Sequence, residues 1–188
     1  MSELSYSRKR VAPIIASVVG ALMVAFLWVL VTAEPNTADD ADSPLLGQPA
    51  PSVISTTVDD AEFVLANRKG SWVIFNFFNS TCVPCIAEHP ELVAFSEREL
   101  QATNPAEIYT VINDDNDASV RAFFSKNGGD WQKVRDSDGA ISVAFGVAKV
   151  PETWVIDPNG YVRLRIAGML TPGLLDDQLA QLKAQFGS

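Results

Sequence analysis

The stretch "FNFFNSTCVPCIAEHPEL", residues 75–92, decides how the chain is read. An apolar run leads into Cys82 and Cys85, and these are the only 2 cysteines among 188 residues. Haem attachment requires Cys-x-x-Cys-His, and here Ile86 follows Cys85, so that reading fails. A zinc site needs about four ligands. The chain has a single histidine, His89, so Cys82, Cys85 and His89 make at most a three-ligand cluster. His89 reads more simply as an exposed helix residue. A structural staple is poorly served by a disulfide that closes so small a loop, because little entropy leaves the unfolded chain. A reversible redox pair is the reading that the position supports.

The flanks explain why. "SWVIFNFF", residues 71–78, is a nearly continuous apolar run after Gly70. It predicts a central strand buried on both faces. Beyond Pro84, apolar residues at Ile86, Leu92, Val93, Phe95 and Leu100 have helical spacing, with a kink expected at Pro90. The cysteines therefore sit where a strand gives way to a helix. Unpaired N–H groups and a partial positive charge at a helix start stabilise a thiolate there. Cys82 is the expected nucleophile. Cys85, one turn in and more buried, is the expected resolving thiol. Pro84 suits a first helical turn.

The remaining elements follow in order. "SVIST", residues 52–56, and "EIYTVIN", residues 107–113, are strand candidates. "DASVRAFFSKNGG" fits an amphipathic helix ended by Gly128 and Gly129. "GAISVAFGV" is a short helical turn. "ETWVID" and "YVRLRIAG" flank "PNG", residues 158–160, a hairpin signal. A last helix is expected to open at Thr171 and Pro172. Apolar strands alternating with helices imply an α/β layer fold, with parallel crossovers first and an antiparallel pair last.

Composition bounds the rest. At 47% hydrophobic residues the chain can bury a real core, and a formal net charge of −9 argues against nucleic acid as a partner. Residues 11–33, "VAPIIASVVGALMVAFLWVLVTA", carry no charge and follow Arg8, Lys9 and Arg10. As a helix they would reach roughly 34 Å, enough to cross a bilayer, with the basic residues on the cytoplasmic side and Trp28 near the far interface. A cleaved signal peptide, with Val31 and Ala33 at the cleavage positions, is the alternative, but the apolar stretch exceeds the usual h-region. The expected organisation is a cytoplasmic N-terminus at 1–10, a membrane anchor at 11–33, an acidic Pro-rich linker at 34–51 and a domain at 52–188. The domain would lie outside the cytoplasm.

The segment "WVIFNFFNSTCVPCIAEHPEL" resembles the strand, Cys-x-x-Cys and helix of thioredoxin-like proteins, in particular the membrane-anchored extracytoplasmic CcmG/DsbE, ResA and TlpA-like types. A second motif, "FGVAKVPETWVIDPNGYV", residues 145–162, resembles the branch's stretch around a cis-proline. The resemblance covers about residues 46–186 and implies a central mixed β-sheet flanked by helices, after one N-terminal transmembrane helix. It implies that Pro151 faces the cysteines and that Val150 offers backbone groups to a substrate strand. It implies a proton-accepting role for Glu88 and a pKa-tuning role for Glu152. The family's usual tryptophan before the first cysteine is replaced by Thr81, which makes the lip more polar.

The implied activity is thiol-disulfide exchange, with the Cys82–Cys85 pair itself as the redox group and no added cofactor or metal. Implied partners are oxidised protein thiols, apocytochrome c first, and a membrane thiol-reducing donor of the CcdA/DsbD kind. A monomer is expected. Two other readings stay open: a disulfide-forming oxidase, and a non-catalytic binding or chaperone module for apocytochrome or haem. A peroxidase lacks its proline–threonine–cysteine pattern.

Overall fold

The computed structural model describes residues 11–32, 39–40 and 42–187. They fall into two units, Met1–Asn36 and Thr37–Ser188. The first holds helix α1, Val11–Thr32, whose described side chains, 13–28, are all exposed. Among the described residues no helix is long and apolar enough to cross a membrane. The expected cytoplasmic stretch 1–10 and Ala33 lie outside the described residues.

The second unit is built on six strands in the order β1-β8-β7-β4-β5-β6. They are β1 (Asp39–Asp40), β4 (Val73–Phe78), β5 (Glu107–Ile112), β6 (Gln132–Arg135), β7 (Glu152–Ile156) and β8 (Val162–Ala167). A separate hairpin pairs β2 (Ile54–Thr56) with β3 (Glu62–Val64). Strands β4, β5 and β6 are mutually parallel, and antiparallel pairs join β4 to β7, β7 to β8 and β8 to β1. This is the mixed sheet expected, with parallel crossovers first. Strand β4 is buried along its whole length, as a sheet covered on both faces demands.

Alternation along β4 divides the core. Val73, Phe75 and Phe77 face one layer with Tyr109, Trp154, Ile156, Phe63 of β3 and Phe145 of helix α4, Ala140–Phe145. Ile74 faces the other, with Leu92 and Phe95 of α2 (Val83–Glu99) and Leu175, Leu179 and Leu182 of α5 (Leu174–Phe186). A third cluster lies at the C-terminal end of β4, where Phe78, Ile112 and Cys85 meet Val120 and Phe124 of α3, Asp117–Asn127. The β7–β8 turn closes through Gly160 N–H to the Asp157 carbonyl, with Gly160 at φ 87°, a conformation that glycine adopts without strain.

Four expectations change. The linker at 34–51 is partly domain: β1 pairs with β8, and Leu45, Leu46 and Ala50 pack on the core, because two leucines in a polar stretch find apolar cover. Strands β3 and β6 were not anticipated. In β6 only Val134 is buried, so its pattern is too polar to announce a strand. Helix α5 starts at Leu174 after a turn, not at Thr171. His89 is not exposed but 2% accessible.

Candidate functional site

Helix α2 begins where β4 ends, and the two cysteines form its first turn. Cys82 is the N-cap residue and forms a disulfide with Cys85, their Cα atoms 5.2 Å apart. The Cys85 N–H donates to Cys82 Sγ at 3.3 Å, so a backbone donor already points at the sulfur that would carry charge. Cys82 is partly exposed and Cys85 fully buried. Only the first sulfur can meet a large substrate, and the second can meet only Cys82. Val83, 75% exposed, and Pro84 leave the approach open.

Across from Cys82 is the loop before β7. The Val150–Pro151 peptide is cis, and the Val150 carbonyl lies 3.6 Å from Cys82 Sγ. The disulfide sulfur has no hydrogen, so this is a contact in the oxidised protein. The reduced thiol would have an acceptor there. Pro151 is buried, and its carbonyl accepts from Gly168 N–H at 3.0 Å.

Glu88 follows Cys85 by three residues, hence on the same helix face, and is 2% accessible. Its Oε1 accepts from Asn76 Nδ2 at 2.8 Å and its Oε2 from Leu170 N–H at 2.8 Å. Burial raises its carboxyl from 4.5 to about 7, against these two hydrogen bonds, which pull it down. A group balanced near neutrality can take up and return a proton.

His89 shares the buried face. Its Nε2 lies 3.0 Å from the Gly128 carbonyl, and its ring is surrounded by Phe78, Phe123, Phe124 and Trp131. Burial holds its pKa below the usual value. Apart from Phe78 of β4, its neighbours come from α3 and the segment after it, which the sequence pattern of α2 alone does not bring in.

Glu152 is buried too, but it pairs with Phe77 in the β4–β7 register and so belongs to the sheet face opposite α2. Arg165 grips it through two nitrogens at 2.9 and 3.0 Å. Its charge is compensated there, which counters the expectation that it tunes the cysteines. Thr81 is exposed, and both its N–H and its hydroxyl donate to Asn79 Oδ1, at 2.8 and 2.7 Å. Asn79 in turn donates to the carbonyls of Asn113 and Asp114, and Ser80 N–H donates to Asp115. Polar ties to the end of β5 thus fix the lip where a tryptophan was expected.

Sequence reasoning missed Asn76, Arg165 and the Leu170 N–H. Asn76 had a signal, being a lone amide inside an apolar strand. Arg165 had one in the alternation of "YVRLRIAG". The Leu170 N–H had none.

The DsbE thiol:disulfide interchange protein of Pseudomonas aeruginosa is 29% identical over 167 residues, covering 87% of this chain and 88% of its own. HelX of Rhodobacter capsulatus, also named a thiol:disulfide interchange protein, is 31% identical over 154 residues, covering 80% and 82%. A solved thioredoxin-family thiol:disulfide interchange protein from Chlorobium tepidum matches with a TM-score of 0.64 at 24% identity, over 75% of this chain and 98% of its own, which shows the thioredoxin-like fold. The AhpC/TSA family matches residues 46–165. A helix-capping cysteine pair on this fold, with relatives of this kind along most of its length, makes the chain a member of the AhpC/TSA family and a thiol-disulfide oxidoreductase whose redox pair is Cys82–Cys85.

Proposed function

We propose that the protein reduces disulfides in other proteins outside the cytoplasm, held to the membrane by residues 11–33, with apocytochrome c as its leading substrate. The observation that carries this reading is the unequal placement of the two sulfurs: Cys82 partly exposed and capping a helix, Cys85 fully buried behind it. The names of the DsbE and HelX relatives support exchange chemistry, and the apolar, uncharged 11–33 segment supports the anchor.

In the reduced protein the Cys82 thiolate attacks one sulfur of a substrate disulfide, forming a mixed disulfide and releasing the other sulfur as a thiolate. Cys85 then gives its proton to the Glu88 carboxylate, directly or through a water, and attacks Cys82 Sγ. The Cys82–Cys85 bond forms, the mixed disulfide breaks, and the second substrate sulfur leaves as a thiolate. Two electrons pass from the dithiol to the substrate. A membrane dithiol donor of the CcdA/DsbD kind restores the reduced pair, and no other redox group takes part. Val150 and Pro151 align the substrate strand beside Cys82, and Thr81 lies at its edge.

The test is a trap. In Cys85→Ser, Cys82 should remain joined to its substrate, identifiable by mass spectrometry. Capture of small thiols alone would end the protein-substrate reading. A reduction potential near about −270 mV fits a reductant, whereas one near about −120 mV would favour the disulfide-forming direction.

A further inference from the structure

The Glu88 carboxyl has one fixed neighbour and one that can turn. Leu170 N–H is a backbone donor and can only donate. Asn76 of β4, 1% accessible, donates from Nδ2 to both Glu88 Oε1 and Thr153 Oγ1, at 2.8 and 3.2 Å. Its own Oδ1 is buried and has no hydrogen-bond partner among the described residues. An amide oxygen left unpaired in the interior is costly and calls for a reason.

The two states of Glu88 supply one. An ionised carboxylate is served by two donors, Leu170 N–H and Asn76 Nδ2. A protonated carboxyl brings an O–H of its own, which at Oε1 would meet the Asn76 donor head-on. Half a turn of the Asn76 amide removes that conflict. Its Oδ1 then accepts from the Glu88 O–H and from the Thr153 hydroxyl, and the Nδ2 is left unpaired instead. Either orientation leaves one end of the amide without a partner, so neither is favoured by its own hydrogen bonds. A carboxylate at position 76 would add a like charge, and an apolar side chain would serve neither state.

We propose that Asn76 is a positioning residue for Glu88, its amide turning over as the carboxyl gains or loses a proton, so that Glu88 is held in one place in both states. This rests on the proton-accepting role of Glu88 in the reading above. The step it serves moves only a proton: the Cys85 S–H bond breaks and the Glu88 O–H bond forms. Cys85 lies one turn before Glu88 on α2, and Glu91 one turn after. Glu91 is held by Arg98 and Gly173 N–H, and Asp176 of α5 pairs with the same Arg98. The groups that bond Glu88 from β4 and the β8–α5 segment are Asn76 and the Leu170 N–H, both uncharged, and Thr153 of β7 is linked to it only through Asn76. His89 points to Gly128.

The experiment is a pH titration by NMR of the full chain in detergent micelles with the disulfide intact. The Asn76 side-chain amide is assigned by its loss in Asn76→Asp, and the Glu88 carboxyl is followed in parallel. Both should titrate with one midpoint near about 7, and the Asn76 shift should vanish in Glu88→Gln. A static Asn76 amide beside a titrating Glu88 overturns the turnover and leaves the role of Glu88 standing. A Glu88 carboxyl silent between pH 5 and 9 overturns both. In a kinetic arm, Asn76→Leu should slow resolution by Cys85 about tenfold more than it slows attack by Cys82. Equal slowing of the two steps makes Asn76 merely structural and sinks the proposal.

Discussion

Replacing Glu88 by glutamine changes how stability depends on pH, and burial sets the size of the effect. The folded carboxyl is raised from 4.5 to about 7. The unfolded chain releases this proton near its ordinary value, so between those two pH values the folded state binds more protons. The stability tied to the neutral carboxyl is fully present below the lower value and lost as pH rises to the upper one. At about 1.4 kcal/mol per pH unit the shift is worth on the order of 3 kcal/mol. Glu88→Gln has no proton to lose, so it gains on the parent by that amount as pH goes from acid to 8. Thermal unfolding of the oxidised full chain in detergent micelles, followed by tryptophan fluorescence, reads this directly. At about 2–4 °C per kcal/mol the Tm gap between the two proteins should move by roughly 6–12 °C. His89 acts in the opposite sense. Its pKa is lowered by burial, so its contribution is present above the ordinary 6.5 and lost below. Being common to both proteins, it cancels in the comparison. A gap that stays constant across this pH range would refute the reasoning.

Three further outcomes are expected. Arg165→Met strands Glu152, 1% accessible, without its counter-charge and should cost about 3–5 kcal/mol in urea unfolding. Adding Glu152→Gln should recover most of it, and an additive double variant would show that the pair is not coupled. Gly129→Ala places a Cβ 2.9 Å from Trp131 Cη2 and 3.0 Å from Phe124 Cδ1, at φ +96°, and should lower stability by about 2 kcal/mol or more. A parent-like Tm would show that these rings yield freely. Cys82→Ser should abolish disulfide reduction by the purified protein, and parent-like turnover would remove Cys82 from the chemistry.

The parts of the fold that could be read from sequence were those whose pattern is local. Strand β4 is apolar on both faces because the sheet is covered on both, and the β7–β8 turn is written in Pro158, Asn159 and Gly160. The cysteine pair and Pro151 are motifs, each short enough to read in place. What escaped depends on partners far along the chain. His89 looks like a surface residue until α3 and Trp131 close over it. Glu152 looks like a free carboxylate near the site until β8 brings Arg165 beside it. Strand β6 has one buried residue, and a single apolar position has no period. The leucines at 45 and 46 sit in a composition typical of a spacer, and only the finished core gives them somewhere to go.

Pro90 lies inside α2, seven residues after Val83. Having no N–H, it cannot bond the Ile86 carbonyl one turn back. The helix runs on unbroken to Glu99, one ladder hydrogen bond short at this turn, and Pro90 divides it along the sequence into two segments. The first carries Cys85, Glu88 and His89, and the second carries Leu92 and Phe95, which fasten it to the sheet. Such a joint lets chemistry and scaffold vary separately. Substitutions before Pro90 can retune the sulfur pair without loosening the fastening, and repacking after it can firm the domain without re-aiming Cys82. For an engineer, Pro90 marks where one enzyme's reactive turn can be grafted onto another's frame.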